Sequence, residues 1–587
     1  MEKWIETRKG GNFIEIGKRF GIDPVIARVM RNRDICTDEE IRFYLYGGRA
    51  DLPNPHLLMD GDKAAELLAQ AIVGKQKIRV IGDYDVDGVN ATYILLKGLK
   101  RVGASVDAAI PDRMKDGYGI NENLIKQAHE AGTNLIVTCD NGIAALDAIA
   151  YAKELGMQVI VTDHHDIPFR EHSNGEREYL SSQADAIINP KQQECAYPYK
   201  CLCGAAVAWK LVQLLYERMD VPVEEADSFL ENVGFATVGD VMDLTGENRI
   251  LVKLALERLS HTKNPGMKAL IAQNDLLDKR ISAYHIGFVL GPCINASGRL
   301  DTAVRSLALL LEENPAKAAS LAADLVQLNE SRKDMTIQQT ELAMQMIEEQ
   351  HMQQDRVLVV FLPECHESLA GIIAGRIREA YHRPAIVLTR GEDGVKGSGR
   401  SIEEYSMFEE LTGVSELLTK FGGHPMAAGM SLEEENVLTF RQRLNERTTL
   451  TDEDLVEKVH IDVVMPMSYV TENLIYALEL LEPCGKGNTK PVFADRDLSI
   501  ISARCVGKKQ NVLKLQLLTM DGHRVSAVYY GDIDRFWQTL EEKFSPEDVE
   551  AAKQGRPNRI HFSAIYEPKI NDYYQTNELE MVIRRIR

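Results

Sequence analysis

Ile78-Arg79-Val80-Ile81-Gly82-Asp83-Tyr84-Asp85-Val86-Asp87-Gly88 is the stretch on which the fold turns. A short apolar run of strand length ends in three aspartates spaced two residues apart. A glycine and a helical pattern from about Val89 to Val102 follow. Further apolar runs stand at Val106 to Ile110, Leu135-Ile136-Val137, Val159-Ile160-Val161 and Ala186-Ile187-Ile188, with a helical stretch from Ile143 to Leu155 between two of them. Short apolar runs joined by helices predict a doubly wound, mostly parallel α/β sheet. Pro168 to Ser182 breaks the alternation and reads as a polar surface insertion.

In open α/β sheets ligands bind beyond the C-terminal strand ends. Three carboxylates crowded there repel one another, which favours a bound cation. An Asp-rich exposed loop or a calcium-type loop is the competing reading. Two other strands end in a similar way. Leu135-Ile136-Val137-Thr138-Cys139-Asp140-Asn141-Gly142 delivers Asp140, and Val159-Ile160-Val161-Thr162-Asp163-His164-His165-Asp166 delivers two histidines and an aspartate. Asp240, in Thr237-Val238-Gly239-Asp240-Val241, could complete the set from a helical block. Carboxylates with one or two imidazoles suit Mn²⁺ or Mg²⁺, and the number of acids suggests two ions. Ions ~3.5–4 Å apart clamp a phosphate and favour phosphoester or phosphoanhydride hydrolysis.

Composition narrows the class. The chain has 587 residues, with 44% hydrophobic and 27% charged side chains, as in ordinary globular proteins. Its 68 Lys and Arg against 88 Asp and Glu leave a net charge of -20. That argues against coating nucleic acid by bulk positive charge, but not against handling it in a local basic groove. Nine scattered cysteines do not read as a disulfide framework, and Cys201-x-Cys203 alone is a weak zinc signal. No run approaches the length of a membrane helix, and the first residues lack the apolar core of a signal peptide, so a cytoplasmic location is expected.

The remaining sequence divides the chain. Phe13, Ile16, Phe20, Ile22 and Val25 predict a small helical N-terminal segment, 1–60. A helical block runs from Gly204 to about Leu277. Asn314 to Gln353 reads as one helix, with Asn314 as N-cap, Pro315 in the first turn, and dense charge suggesting an exposed connector. Strand signals return at Val357 to Phe361 and Pro384 to Leu388 in a second α/β unit that ends near Arg447. After His460, short strands at Pro491 to Phe493, Val512 to Leu518, Val525 to Tyr530 and Ile560 to Ile565 predict a small OB-type β-barrel.

These residues carry a resemblance. Asp83-Tyr84-Asp85-Val86-Asp87-Gly88, Asp140-Asn141-Gly142, Asp163-His164-His165 and Thr237-Val238-Gly239-Asp240 resemble the four motifs of the DHH phosphoesterase superfamily. Phe421-Gly422-Gly423-His424-Pro425-Met426-Ala427-Ala428-Gly429 resembles the signature of the DHH-associated domain. Gly291-Pro292-Cys293-Ile294-Asn295-Ala296-Ser297-Gly298-Arg299-Leu300 and Leu481-Glu482-Pro483-Cys484-Gly485-Lys486-Gly487-Asn488 resemble segments of the bacterial single-strand-specific 5′→3′ DNA exonucleases within it. The resemblance implies a DHH catalytic domain at 61–310, a helical connector at 311–354, a DHH-associated substrate-binding domain at 355–450 and an OB domain at 455–587. A further C-terminal domain of some relatives is not expected.

By the same resemblance, Asp85, Asp87, Asp140, His164 and Asp240 hold two divalent ions, with Asp83 in support and Asp140 bridging. His165 faces the scissile phosphate, and the implied nucleophile is a metal-bound hydroxide, so no side-chain nucleophile is needed. Arg113, Ser398 and Arg400 recognise the 5′-phosphate, with Asn295, Arg299 and His424 as further substrate contacts. Gly397-Ser398-Gly399-Arg400-Ser401 offers amides, a hydroxyl and a guanidinium suited to a phosphate; a polar glycine turn is the alternative. Arg504, Lys508, Lys509 and Lys514 give a basic stripe, and Tyr529, Tyr530, Tyr573 and Tyr574 are possible stacking groups for single strands.

The pattern departs from the family at Cys293, where Arg is usual. It departs again at Cys365-His366-Glu367-Ser368 in place of a Trp-His-x-Gly string, and at Gly375 in place of Ser. The implied activity is stepwise release of 5′-mononucleotides from single-stranded DNA in repair and recombination, with single-strand-binding protein and a RecQ-type helicase as partners. A DHH phosphodiesterase of short oligoribonucleotides or cyclic dinucleotides is the rival enzyme, and a single-strand-binding scaffold the rival without catalysis.

Overall fold

The computed structural model describes residues 2–113, 115–172, 175–391, 394–507, 510–571 and 578–587. It separates into two compact units, 49–457 and 1–48 together with 458–587.

In the larger unit five strands, Lys77–Ile81, Ser105–Ala109, Leu135–Cys139, Gln158–Thr162 and Ala186–Ile188, form one sheet. All are parallel, and Lys77–Ile81 lies between Ser105–Ala109 and Leu135–Cys139. The order therefore reverses between the strands ending before Asp83 and Asp140, and such a switch point opens a crevice for a ligand. Strand residues such as Ile78, Val80, Ile136, Val137 and Ile160 are wholly buried, as a sheet covered on both faces requires. The insertion after Pro168 is a small exposed hairpin, Phe169–Glu171 with Arg177–Tyr179.

A 35-residue helix, Pro315–Glu349, leads to the second sheet. Asn314 Oδ1 accepts from the Ala316 and Lys317 amides at 2.9 and 3.2 Å, so the cap is where the sequence puts it. The exposed connector is half of the truth. Ala318, Ala322 and Leu325 enter the core of the first α/β layer, whereas Ala343 and Ile347 enter the core around Leu358, Ile373 and Val387. The charged residues masked a narrow stripe of small apolar ones, and the helix, ~50 Å long, ties two cores together.

The second sheet runs Lys420–His424, Ala427–Leu432, Gly394–Arg400, Ala385–Gly391, Leu358–Phe361, with only the last pair parallel. Gly397 to Arg400 is thus neither a loop nor a turn but an inner strand. Its amides belong to ladders with both neighbours, which corrects the expectation that they serve a phosphate. The glycines serve packing: a Cβ at Gly397 would meet Leu388 Cδ2 at 2.3 Å, and one at Gly399 would meet the Met407 sulfur at 2.9 Å.

In the smaller unit, Phe493–Val506, Val512–Leu518, Arg524–Tyr529, Glu578–Ile586 and His561–Asn571 close into a barrel, because Phe493–Val506 also pairs with His561–Asn571. Register shifts beside Asp495 and Ile500 let this long strand bend into both pairings. The N-terminal segment opens with a strand, Glu2–Glu6, paired with Glu457–Ile461, before three helices. From these, Ile26, Met30, Ile41 and Leu45 share one core with Phe493, Leu515 and Phe562.

Candidate metal centre

The three aspartates after the first strand take different local roles. Asp85 caps the Val86–Arg101 helix, its Oδ1 accepting from the Asp87 and Gly88 amides at 2.9 and 3.0 Å. Asp87, in the first turn of that helix, is fully buried. Its two oxygens accept from the Gly204 and Ala205 amides at 2.6 and 2.7 Å, at the start of the Gly204–Arg218 helix. A helix N-terminus stabilises a buried carboxylate. Asp83 is also buried; Oδ1 accepts weakly from the Gly119 amide at 3.4 Å.

Asp140 follows the neighbouring strand at a φ of 61°, a left-handed conformation for a side chain other than glycine. Its backbone carbonyl accepts from the Tyr118 hydroxyl at 2.7 Å. Asn141 beside it donates to the Ile81 and Cys139 carbonyls at 3.1 and 2.8 Å, stitching the two strand ends together. His164 Nε2 lies 3.0 Å from Asp140 Oδ1, 3.6 Å from Asp87 Oδ2 and 3.8 Å from Asp240 Oδ2. Asp240 arrives from the end of the Leu230–Gly239 helix.

Donor atoms thus gather in overlapping nests: Asp83, Asp85 and Asp140; Asp87, His164 and Asp240; and Asp140 with His164 and His165. The donors of each nest lie within 4.8 Å of one another. All the ligands expected from the sequence are brought together. Asp83 Oδ2 and Asp140 Oδ1 are buried without a hydrogen bond among the described residues. Buried anionic oxygens left unpaired beside like charges are costly, and hard divalent cations are what this donor set fits. Burial, then the charge of Asp85, pushes Asp87 up to about 6. Burial and neighbouring carboxylates push Asp83 and Asp140 well above the usual range. His164 is driven down to about 3 by burial and by His165, leaving a neutral imidazole fit for ligation.

Sequence reasoning passed over two residues of the same site. Asp163 is buried and its Oδ1 accepts from the His164 and His165 amides at 2.7 and 3.1 Å and meets His165 Nδ1 at 2.8 Å. Burial alone would lower the His165 pKa, but this bond and the surrounding carboxylates raise it to about 9. Tyr118 packs edge-on against His165, its hydroxyl 3.1 Å from Nδ1. An acid immediately before a histidine pair was the available signal for Asp163. Tyr118 had none beyond standing five residues after Arg113.

The expected substrate residues fall into separate contacts. Asn295 Oδ1 accepts from the Val86 amide at 2.9 Å and so shapes the start of the ligand helix. Arg113 stacks over Tyr84 at 5.0 Å. Arg299, pushed down to about 10 by burial and then by Arg113, donates to the Ser368 carbonyl at 2.8 Å. Arg400 donates to Ser398 Oγ at 3.0 Å. Both face the first turn of the Ala370–Tyr381 helix, where a Cβ at Gly371 would come within 2.7 Å of Arg400 Nη2. A guanidinium, a hydroxyl and a helix N-terminus are groups of the kind that suit an anion. His424 is exposed, 3.9 Å from Asp166, which directly follows His165. Cys293 is buried beside Asn329 Nδ2 at 3.5 Å.

On the barrel, Arg504 and Lys514 are cross-strand neighbours and line a groove of about 1020 Å³ with Tyr530 and Lys569. Tyr529 is half-buried and packs on Phe536 at 5.2 Å, against the barrel core. Lys508, Lys509, Tyr573 and Tyr574 lie outside the described residues.

Comparison with known proteins agrees with this arrangement. The DHH family, N-terminal domain, matches residues 77–232, the DHHA1 domain 354–449 and the RecJ OB domain 461–585. The single-stranded-DNA-specific exonuclease RecJ of Escherichia coli (strain K12) is 34% identical over 510 residues, 83% of this chain and 86% of that protein. The chain belongs to the RecJ family. RecJ of Bacillus subtilis (strain 168) is 37% identical over 500 residues, 84% of this chain; the chain spans 62% of that longer relative. A crystal structure of RecJ in complex with Mn²⁺ from Thermus thermophilus matches with a TM-score of 0.81 and 26% identity, covering all of this chain and 79% of that one. The RecJ relation fits the fold described above: a parallel α/β sheet, a second α/β layer and a barrel.

Proposed function

We propose that this chain is a metal-dependent exonuclease that degrades single-stranded DNA 5′→3′ to 5′-mononucleotides in DNA repair and recombination. The observation that carries the proposal is the convergence of five aspartates and His164 at the switch point of the sheet, with two buried oxygens that accept no hydrogen bond among the described residues. Asp83, Asp85 and Asp140 would hold one divalent ion, Mn²⁺ or Mg²⁺, and Asp87, His164 and Asp240 the other, with Asp140 between them. When bound, the pair supplies Lewis-acid polarisation of the phosphate and activation of water at neutral pH.

The chain's own groups do the rest. Asp163 holds the His165 ring at Nδ1, and this imidazole hydrogen-bonds the phosphate where negative charge develops. Arg400, Ser398 and the first turn of the Ala370–Tyr381 helix receive the terminal 5′-phosphate, aided by Arg113. Arg299 links this cradle to the metal side through the Ser368 carbonyl. Capturing the 5′ end fixes polarity, because a strand entering from that end presents its first phosphodiester to the ligand cluster. The barrel groove, with Arg504, Lys514 and Tyr530, guides the rest of the strand. Single-strand-binding protein and a RecQ-type helicase are the partners this reading proposes, and the cytoplasm its location. Among the described residues no helix is long and apolar enough to cross a membrane.

End-labelled single-stranded DNA, duplex DNA, RNA and cyclic dinucleotides, each incubated with Mn²⁺ or Mg²⁺, test the proposal. Label should leave first from the 5′ end of single-stranded DNA. Release first from the 3′ end, or preference for cyclic dinucleotides, would overturn it.

A further inference from the structure

The ligand helix is held at its start by Asn295, and Asn295 sits on a longer helical rod. Ala283–His285, a π-helical stretch Ile286–Leu290 and Gly291–Leu300 run on without interruption. Ala283, Ile286, Leu290, Cys293, Ile294 and Ser297 are buried. Tyr284 and Phe288, which are exposed, and Pro292, Asn295 and Arg299, which are partly buried, are spaced four, four, three and four apart along one stripe. One end of this stripe is already placed: Asn295 touches Val86, and Arg299 reaches Ser368. The rod also packs on the turn that carries Asp240, since Val238 Cγ1 lies 3.7 Å from a Cβ built at Gly287.

The other end of the stripe is unexpected. Tyr284 and Phe288 are 63% and 69% exposed, yet their rings stack at 5.1 Å with a 29° interplanar angle. Two large aromatic rings held in register in solvent have no role in the core. The π-helical stretch contains Phe288 and changes the helical phase of this face, and single π-turns of this kind recur at functional sites. At ~1.5 Å per residue, Phe288 is ~10 Å and Tyr284 ~16 Å along the rod from Asn295. Lys279 adds positive charge nearby, acting on His285.

We propose that Tyr284 and Phe288 form a nucleobase platform, on which bases of the strand downstream of the cleaved end stack before they reach the metal centre. This rests on the nuclease reading above and adds a base-binding subsite to it. A protein-docking face covers ~800 Å² per partner, far more than two rings present, whereas a stacked base needs no more than one ring face. Stacking tolerates every base, as an enzyme that consumes a strand of any sequence requires.

The test is kinetic, with Mn²⁺ and 5′-phosphorylated single-stranded DNA either long or only three nucleotides in length. The Tyr284→Ala/Phe288→Ala double variant should raise KM for the long strand roughly tenfold, with kcat little changed. The effect on the trinucleotide, too short to reach the platform, should be much smaller. Tyr284→Phe/Phe288→Trp, which keeps both ring faces, should retain the parent KM. A 2-aminopurine placed at successive positions should be quenched at one short stretch of the long strand, and the double alanine variant should lose that quenching. An unchanged KM for the long strand, or an equal shift for the trinucleotide, would overturn the platform while leaving the nuclease reading intact. A parent protein inert on single-stranded DNA would overturn that reading and the platform with it.

Discussion

Asp140 concentrates the tension of the site at one residue. It adopts a left-handed backbone, buries its carboxylate beside four other aspartates, and leaves Oδ1 without a hydrogen bond among the described residues. Such a residue destabilises the metal-free fold, and the proposed metal ligation would offset that cost. Asp140→Asn should therefore raise the melting temperature of the metal-stripped protein, yet abolish the further rise that Mn²⁺ gives the parent; calorimetric scans with and without the ion decide this. A variant that melts lower and still responds to Mn²⁺ would remove Asp140 from the ligand set. Asp163 is different, because its oxygens accept from the amides of Ile143, His164 and His165 and one of them meets His165 Nδ1. Asp163→Asn should lower activity or metal affinity ~10–100-fold, as loss of an orienting partner does. Parent-like turnover and Mn²⁺ titration would contradict that role.

Helix starts build the site at the scale of elements. The Val86–Arg101 helix is capped by Asp85, and the Gly204–Arg218 helix is met at its first amides by Asp87. Each helix thus positions a carboxylate while satisfying its own open N–H groups. The contact is close enough to demand glycine: a Cβ at Gly204 would lie 2.6 Å from Asp140 Cβ, an atom with no freedom to swing away. Helix propensity alone favours Ala over Gly by ~1 kcal/mol, but overpacking costs ~1–3 kcal/mol. Gly204→Ala should thus destabilise the fold in urea unfolding and weaken Mn²⁺ binding together. Gained stability would show that propensity outweighs the clash.

At the scale of the whole molecule, the N-terminal residues and the barrel share one core. Ile26, Met30, Ile41 and Leu45 are at most 4% exposed in the same cluster as Phe493 and Phe562. At ~1.5–3 kcal/mol for each fully buried side chain, their loss rivals the ~5–15 kcal/mol stability of a typical domain. Residues 458–587 produced without 1–48 should lack the dispersed amide spectrum and cooperative melt that the two segments show together. An equally well-folded barrel alone would refute this dependence.

The parallel sheet and the gathering of acids at one of its edges could be read from one dimension, because each lies within a single local pattern: apolar run, then acid, then helix. Asp83, Asp85, Asp87, Asp140 and His164 all follow strands whose ends a doubly wound sheet must align. Asp240 could be offered only as a completing member, since it comes from a helix end outside that alternation. The inner-strand place of Ser398 and Arg400 was illegible because glycine-rich strands carry no apolar alternation. Asp163 and Tyr118 gained their roles only when separate loops closed on His165, and the stripe from Tyr284 to Arg299 emerged only once burial distinguished one helix face from the others. Composition and spacing determined which chemistry was present and on which sheet edge. Which oxygens lack partners, which ring is fixed and which face stays open were decided by long-range packing, whose contacts join residues that share no local sequence signal.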